Sequence, residues 1–312
     1  MNYEYSTNVR DNDALRASFN ELTRQTFCFD FVNWYEVGHW GDYYIPHVLL
    51  DGEKVISNVS VNLMQFDLHG VKKNYIQLGT VMTDKAYRGQ GLNREIMERI
   101  LAEYVGKVDG IYLFGNDDVL QYYPKFGFVP AKEFEYYLPC DSIAGAENAK
   151  HIGNARNNES GYTLTKVNMQ DKTQAEKLYE SLRSYEADSN KVNQNDAMYM
   201  NENVCLYQFW LAAGYGDKLY YISEADAYIV VELEEDRLHV YQIFGKQEVD
   251  VLLVAKAIDN KVKEIVFGYT PTHKENYLVR EHKEEDCTLF ILGEDLERIE
   301  RDAMMFPVLS HA

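Results

Sequence analysis

The chain has 312 residues, 46% of them hydrophobic, with 25 Tyr, 14 Phe and a formal net charge of -19. That length accommodates two domains of ordinary size, and the aromatic content excludes a disordered chain. An acidic surface repels phosphate backbones and anionic membranes, so neither nucleic acid nor a membrane is an expected partner and cationic amines are favoured.

Asp11-Asn12-Asp13 marks a helix start, with Leu15, Phe19 and Leu22 following at near-helical spacing. Residues 27 to 44 are dense in rings (Phe27, Phe29, Phe31, Trp34, Tyr35, Trp40, Tyr43, Tyr44), interleaved with Asp30, Glu36, His39 and Asp42. Strands are expected from Tyr43 to Leu50, from Val55 to Phe66 and from Tyr75 to Thr83, with Asp51-Gly52 and His69-Gly70 turning the chain.

The last of these strands reaches Arg88-Gly89-Gln90-Gly91-Leu92-Asn93. A helix follows, with Leu92, Ile96, Met97, Ile100, Leu101 and Tyr104 on one face. A glycine turn between a strand and a helix start gathers unpaired N–H groups, adds the positive end of the macrodipole and lets an anion come close. Backbone N–H groups of Gly89, Gln90, Gly91, Leu92 and Asn93 are therefore the candidate cradle for a diphosphate, with Arg88 adding charge. The strand Gly110 to Gly115, then Asn116, then Tyr122-Tyr123-Pro124-Lys125-Phe126-Gly127-Phe128 complete the stretch, and a strand from Phe134 to Leu138 is expected to close the domain.

This order resembles the GCN5-related N-acetyltransferase (GNAT) superfamily. Arg88 and Gly91 match its acyl-CoA loop, and Tyr123 with Gly127-Phe128 match its downstream aromatic element. Asn93 departs from the loop's final Gly or Ala, which points to weaker cofactor binding. The resemblance implies an acetyl-CoA co-substrate without a metal, and a motif strand that parts from its neighbour so that the main chain of Val81 and Thr83 pairs with the pantetheine arm. It implies Tyr123 as general acid toward the leaving thiolate. Asn116 is a candidate partner of the pantetheine amide, or a cap of the next helix. The ring-rich segment after the first helix would border the acceptor cleft and suit an apolar body carrying a cationic amine. The base is open among Glu36, His39, Asp42, Asp67 and the carboxylate of Ala312; Glu36 is taken as the leading candidate.

The second half repeats the order strand, helix, strands, helix, strand, with a last strand over Cys287 to Leu292. Gly245-Lys246-Gln247-Glu248 stands where the first half has its loop, lacks the second glycine and adds a repelling carboxylate. The expected fold is thus α+β, two tandem GNAT-like domains with mostly antiparallel mixed sheets: 1–140 with the acyl-CoA loop, a small and polar linker over 141–160, and a degenerate copy over 161–312 that holds no cofactor. The tandem order is similar to acetyltransferases of the enhanced-intracellular-survival type. Cys28, Cys140, Cys205 and Cys287 form no C-x-x-C pair, which argues against a zinc site and for a reducing compartment. No secretory leader or transmembrane-length run is visible, so a cytoplasmic protein is expected. An N-acetyltransferase acting on a primary amine is the leading function. A non-catalytic acyl-CoA-binding regulatory module is the alternative, and a dinucleotide fold is disfavoured by antiparallel strands ahead of the loop.

Overall fold

The computed structural model describes residues 3–140, 161–186 and 195–312, so the expected linker over 141–160 lies outside the described residues. In the first half, strands β1 (Glu4–Ser6), β2 (Tyr44–Asp51), β3 (Lys54–Leu68), β4 (Val71–Thr83), β5 (Gly110–Gly115), β6 (Val129–Ala131) and β7 (Glu133–Pro139) alternate with helices α1 (Asp13–Phe27), α2 (Val32–Glu36) and α3 (Leu92–Tyr104). The second half contributes β8 (Leu164–Lys166), α4 (Lys172–Glu186), β9 (Met198–Met200), α5 (Val204–Trp210), β10 (Leu219–Ile222), β11 (Ala227–Glu234) and β12 (Arg237–Phe244). It ends with α6 (Val251–Ile258), β13 (Glu264–Phe267), β14 (Leu278–His282), β15 (Thr288–Leu292) and α7 (Arg298–Arg301).

Local chemistry accounts for the first helices. Asn12 caps α1 by accepting from the Leu15 N–H, and Leu15, Phe19 and Leu22 form its buried face. Helix α3 buries Leu92, Ile96, Met97 and Ile100 against Val59, Val61, Ile76 and Leu78 of the central strands. Helix α1 covers the opposite face with Val48, Leu50, Val55 and Met82. A sheet covered on both faces explains why β3 is buried from Val55 through Asn62, polar side chains included.

The described strands make two sheets, in the orders β1-β2-β3-β4-β5-β15-β6, with β9 pairing β3, and β14-β7-β13-β12-β11-β10-β8. Both are mostly antiparallel and flanked by helices, the expected fold class. Two strands differ from the sequence reading. Strand β7, expected to close the first domain, pairs with β13 and β14 in the second sheet. Strand β15, expected to complete the second copy, lies between β5 and β6 of the first. Side chains explain the exchange: Tyr136 and Leu138 join the second core beside Ile265 and Phe267, whereas Phe290 joins the first beside Tyr123 and Phe128. Leu289, Phe290 and Ile291 are all buried, at about 1.5–3 kcal/mol each for a fully buried large side chain. The sheets therefore do not divide at one point of the chain.

Candidate active site

The loop before α3 has the backbone an anion site needs. Gly89 and Gly91 adopt φ of 78° and 77°, the left-handed region that glycine enters freely. A Cβ at either position would meet nothing within 4 Å, so the space above the loop is open. Gly91 is the N-cap of α3, and no side chain caps the helix. The first N–H groups of α3, those of Leu92 and Asn93 included, start a helix whose dipole favours an anion. Arg88 is exposed and donates through Nε to the Thr83 carbonyl at 3.3 Å, which holds its stem beside the loop. Gln90 accepts from the Tyr3 hydroxyl through Oε1. The Asn93 side chain turns away from the loop: its Oδ1 accepts from Thr83 Oγ1 at 3.0 Å and from Ser57 Oγ, tying α3 to β4 and β3. The residue that departs from the motif thus contributes its amide to the sheet and leaves its backbone at the loop.

Strand β4 parts from β5 where the resemblance places the parting. The two pair in parallel only from Tyr75 with Gly110 to Leu78 with Leu113. Beyond Leu78, β4 stays with β3, and an extra residue is accommodated as Thr80 takes φ of 49°. Asn58 Nδ2 holds the Thr80 carbonyl at 2.7 Å, and a chain of hydroxyls runs from Ser60 to Tyr44 at 2.9 Å and on to Thr80 at 2.8 Å. The stretch carrying Val81 and Thr83 therefore has β3 on one side and no described strand on the other.

Tyr123 lies across the end of β5. A Cβ at Gly115 would lie 3.0 Å from its ring, so Gly115 is what allows the ring this close. Phe290 and Tyr122 pack on the ring with centroids 5.4 and 5.2 Å away. The side chain is 4% exposed, and its hydroxyl has no hydrogen-bond partner among the described residues. Burial, and secondarily Tyr122, raises its pKa, so the phenol keeps its proton at neutral pH. Asn116 follows β5, is exposed and makes no side-chain cap of the next turn.

Beside the parting lies a cavity of about 700 Å³. Phe27, Phe29, Phe31, Trp34 and Tyr44 line it, as the ring-rich segment implied. Asn62, Gln77 and Thr80 bring the central strands to its wall. Phe209 and Trp210 of α5, with Cys287 and His311, enter from the second half. Sequence reading missed these. Asn203, which caps α5 by accepting from the Leu206 N–H, ahead of an apolar run was the available signal for that helix. The His311 ring stacks on Phe114 with centroids 4.0 Å apart, and burial holds its pKa down to about 4, so it is neutral.

The candidate bases separate. Glu36 does not line this cavity: it lies two residues past Trp34 on α2, a turn of about 200°. It lines instead a second cleft of about 920 Å³ with His39, Tyr179 and Arg183. Burial, and then Arg183, lowers the His39 pKa. Asp42 is exposed and paired with Arg10, and Asp67 accepts from the Gly70 N–H in the hairpin turn. Of the candidates named from the sequence, only Ala312 lines the cavity, and its main-chain oxygen accepts from Gln77 Nε2 at 3.2 Å. Among the described residues no cluster of three or more His, Cys, Asp or Glu could hold a metal ion. None of their helices is long and apolar enough to cross a membrane.

Comparison with solved structures finds the same fold over nearly the whole chain. A conserved protein of Enterococcus faecalis V583 superposes with a TM-score of 0.54 at 15% identity, covering 94% of this chain and 71% of that one. A GCN5-related N-acetyltransferase from Anabaena variabilis gives 0.53 at 14% identity, covering 93% and 72%. Eis1 from Mycobacterium abscessus gives 0.53 at 11%, covering 92% and 73%. At these identities the likeness is one of fold. No curated protein matches the sequence. The model of the acetyltransferase (GNAT) domain matches residues 12–131, the span holding the glycine loop, the parted strand and Tyr123. Over those residues the chain is thus similar to the acetyltransferase (GNAT) domain, within an architecture of two sheets.

Proposed function

We propose that this protein is an acetyl-CoA-dependent N-acetyltransferase that acylates a primary amine of a small molecule or peptide by direct attack on the thioester. The observation that carries the reading is the conjunction of an uncapped helix start behind two left-handed glycines with an open strand edge and an unpartnered tyrosine hydroxyl. The diphosphate would sit on the N–H groups of Gly89 to Asn93 beside Arg88. The pantetheine arm would pair with the main chain of Val81 and Thr83, with Asn116 in reach of its amide, and the acyl group would point to the aromatic cavity.

There the amine lone pair attacks the thioester carbonyl, the C–S bond breaks and the sulfur leaves as thiolate. Tyr123 gives its proton to that sulfur, and the proton shed by the attacking nitrogen as the amide forms returns to the tyrosinate, which restores the phenol. An alkylammonium with pKa about 10.4 costs roughly 4–5 kcal/mol to neutralise at pH 7, and a ring-lined cavity lowers that cost by disfavouring the charged form. With Glu36 directed to the other cleft, the base role proposed for it does not fit this geometry. By this reading the first sheet, completed by β15 from the second half, carries the cofactor side, and residues of 161–312 close the acceptor side.

The test is calorimetric titration with acetyl-CoA alongside turnover of the Tyr123→Phe variant. We expect unchanged cofactor affinity and a turnover lower by about 10²–10⁴-fold. Unchanged turnover would remove Tyr123 from the mechanism. Binding without turnover on any amine would favour the acyl-CoA-binding module.

A further inference from the structure

The aromatic cavity narrows the acceptor beyond "primary amine". We infer that it takes a monoamine on an aromatic or bulky apolar body and discriminates against polycations such as polyamines and aminoglycosides. This rests on the reading of the cavity as the acceptor site.

Three observations carry it. Eight phenylalanine, tyrosine and tryptophan rings line the cavity, from α1 and α2, from the central sheet and from α5. Among the described residues that line it there is no Lys or Arg, and the only acidic side chains are Asp30 and Glu284; the Ala312 carboxylate, named above as a candidate base, lines it too and accepts from Gln77 Nε2. Asp30 is already committed: Arg24 Nη1 is 2.7 Å from one oxygen, and the Val32 N–H donates to the other at 3.0 Å. Glu284 is exposed. The site therefore offers few carboxylate oxygens that are not already hydrogen-bonded, since Glu284 is bonded by Cys287 and Ala312 by Gln77, and it offers many ring faces, which suits one ammonium and a large apolar surface.

A polycation entering the same space would bring more ammonium groups than these carboxylates can face and leave the excess against rings with no counter-charge, and such burial is strongly unfavourable. The net charge of -19 draws every cation toward the protein, so discrimination has to come from the cavity wall. Phe27 and Phe29 are each 41% exposed, with ring centroids 6.0 Å apart. They flank Cys28, whose φ of 63° ends α1, and both line the cavity.

The experiment is a thiol-release assay on the full chain with acetyl-CoA and, in parallel, 2-phenylethylamine, spermidine and kanamycin. Acetyl-CoA binding is measured separately by calorimetry. We expect kcat/KM for 2-phenylethylamine at least about tenfold above either polycation. In Phe29→Ala we expect KM for the aryl amine to rise severalfold with kcat nearly unchanged, and Phe29→Tyr to restore it. Equal or better turnover of spermidine or kanamycin overturns the inference and leaves the acetyltransferase reading standing. Absence of acetyl-CoA binding overturns both. Binding without release on any of the three amines overturns the acceptor class proposed here.

Discussion

The two halves of the chain each run a strand into a loop and a helix, and the two helix starts differ in every respect that matters to an anion. At α3 the cap is Gly91, no side chain closes the helix end, and a Cβ on either glycine would stand in open space. At α6 the cap is Asp250, whose carboxylate accepts from the Leu252 and Leu253 N–H groups. Asn195 stitches the same loop down, donating to the Gln247 carbonyl and accepting from the Val249 N–H. Gly245 is small for another reason: a Cβ there would lie 2.7 Å from that of Ala227. One helix start is left for an external negative charge, and the other carries its own. The comparison teaches that a glycine in a loop is evidence of a ligand site only when the neighbouring N–H groups are unclaimed.

The sharpest way to break this contrast is charge reversal in the first loop. Arg88→Glu with Gly91→Glu should remove acetyl-CoA binding altogether, from a micromolar association of about −8 kcal/mol to none measurable by calorimetry. Retained binding would move the cofactor elsewhere. Gly91→Ala is milder: with nothing within 4 Å to clash, only the left-handed backbone is penalised, by about 1–2 kcal/mol. A matching loss in affinity or in unfolding free energy checks it. Asp250→Ala uncaps α6 and should cost about 0.5–2 kcal/mol of stability in denaturant unfolding. It should gain no acetyl-CoA binding, because Asn195 and Glu248 remain; a gained site would mean that the cap alone separates the two helix starts.

Glu133 provides a handle on the crossing strand β7 that leaves both loops alone. Buried, and accepting from the Phe306 N–H, it has its pKa raised to about 7 by desolvation, with Glu284 adding to the rise and His282 opposing it. The folded value lies above the unfolded one, so its stability contribution is full below about pH 4.5 and is lost as pH rises through about 7. Glu133→Gln stays neutral. Its Tm should exceed the parent's by a margin that grows between pH 5 and pH 8, measured by thermal unfolding. A constant margin would mean that Glu133 does not titrate in that range.

Much of this was legible in sequence because it is local. The periodicity of Leu92 to Tyr104, the cap at Asn12 and the order of β2 to β5 follow from residues within a few positions of one another. The ring-rich segment was expected to border a cleft on the strength of the family resemblance, and Phe27, Phe29, Phe31, Trp34 and Tyr44 line a cavity. What was not legible depends on distant partners. Phe134 to Leu138 and Thr288 to Leu292 read equally well as strands of their own halves, since alternation fixes which residues face a core and not which core. Glu36 and Trp34 are two residues apart, and only the presence of α2 sends them to different clefts. The side chain of Asn93 looked like a defect of the loop until its partners Thr83 and Ser57 were in view.

The exchange of β7 and β15 has a consequence for how the molecule is made. A ribosome that has delivered the first sheet up to β6 still lacks the strand that belongs between β5 and β6, and must add some 150 residues before it emerges. During that interval the nascent sheet carries an unpaired edge on β5 and an unfilled place beside Tyr123 and Phe128. Such edges pair readily with other chains. The first half thus cannot mature as an independent unit ahead of the second: the glycine loop is made long before β15, and the sheet behind it closes only once that strand has followed.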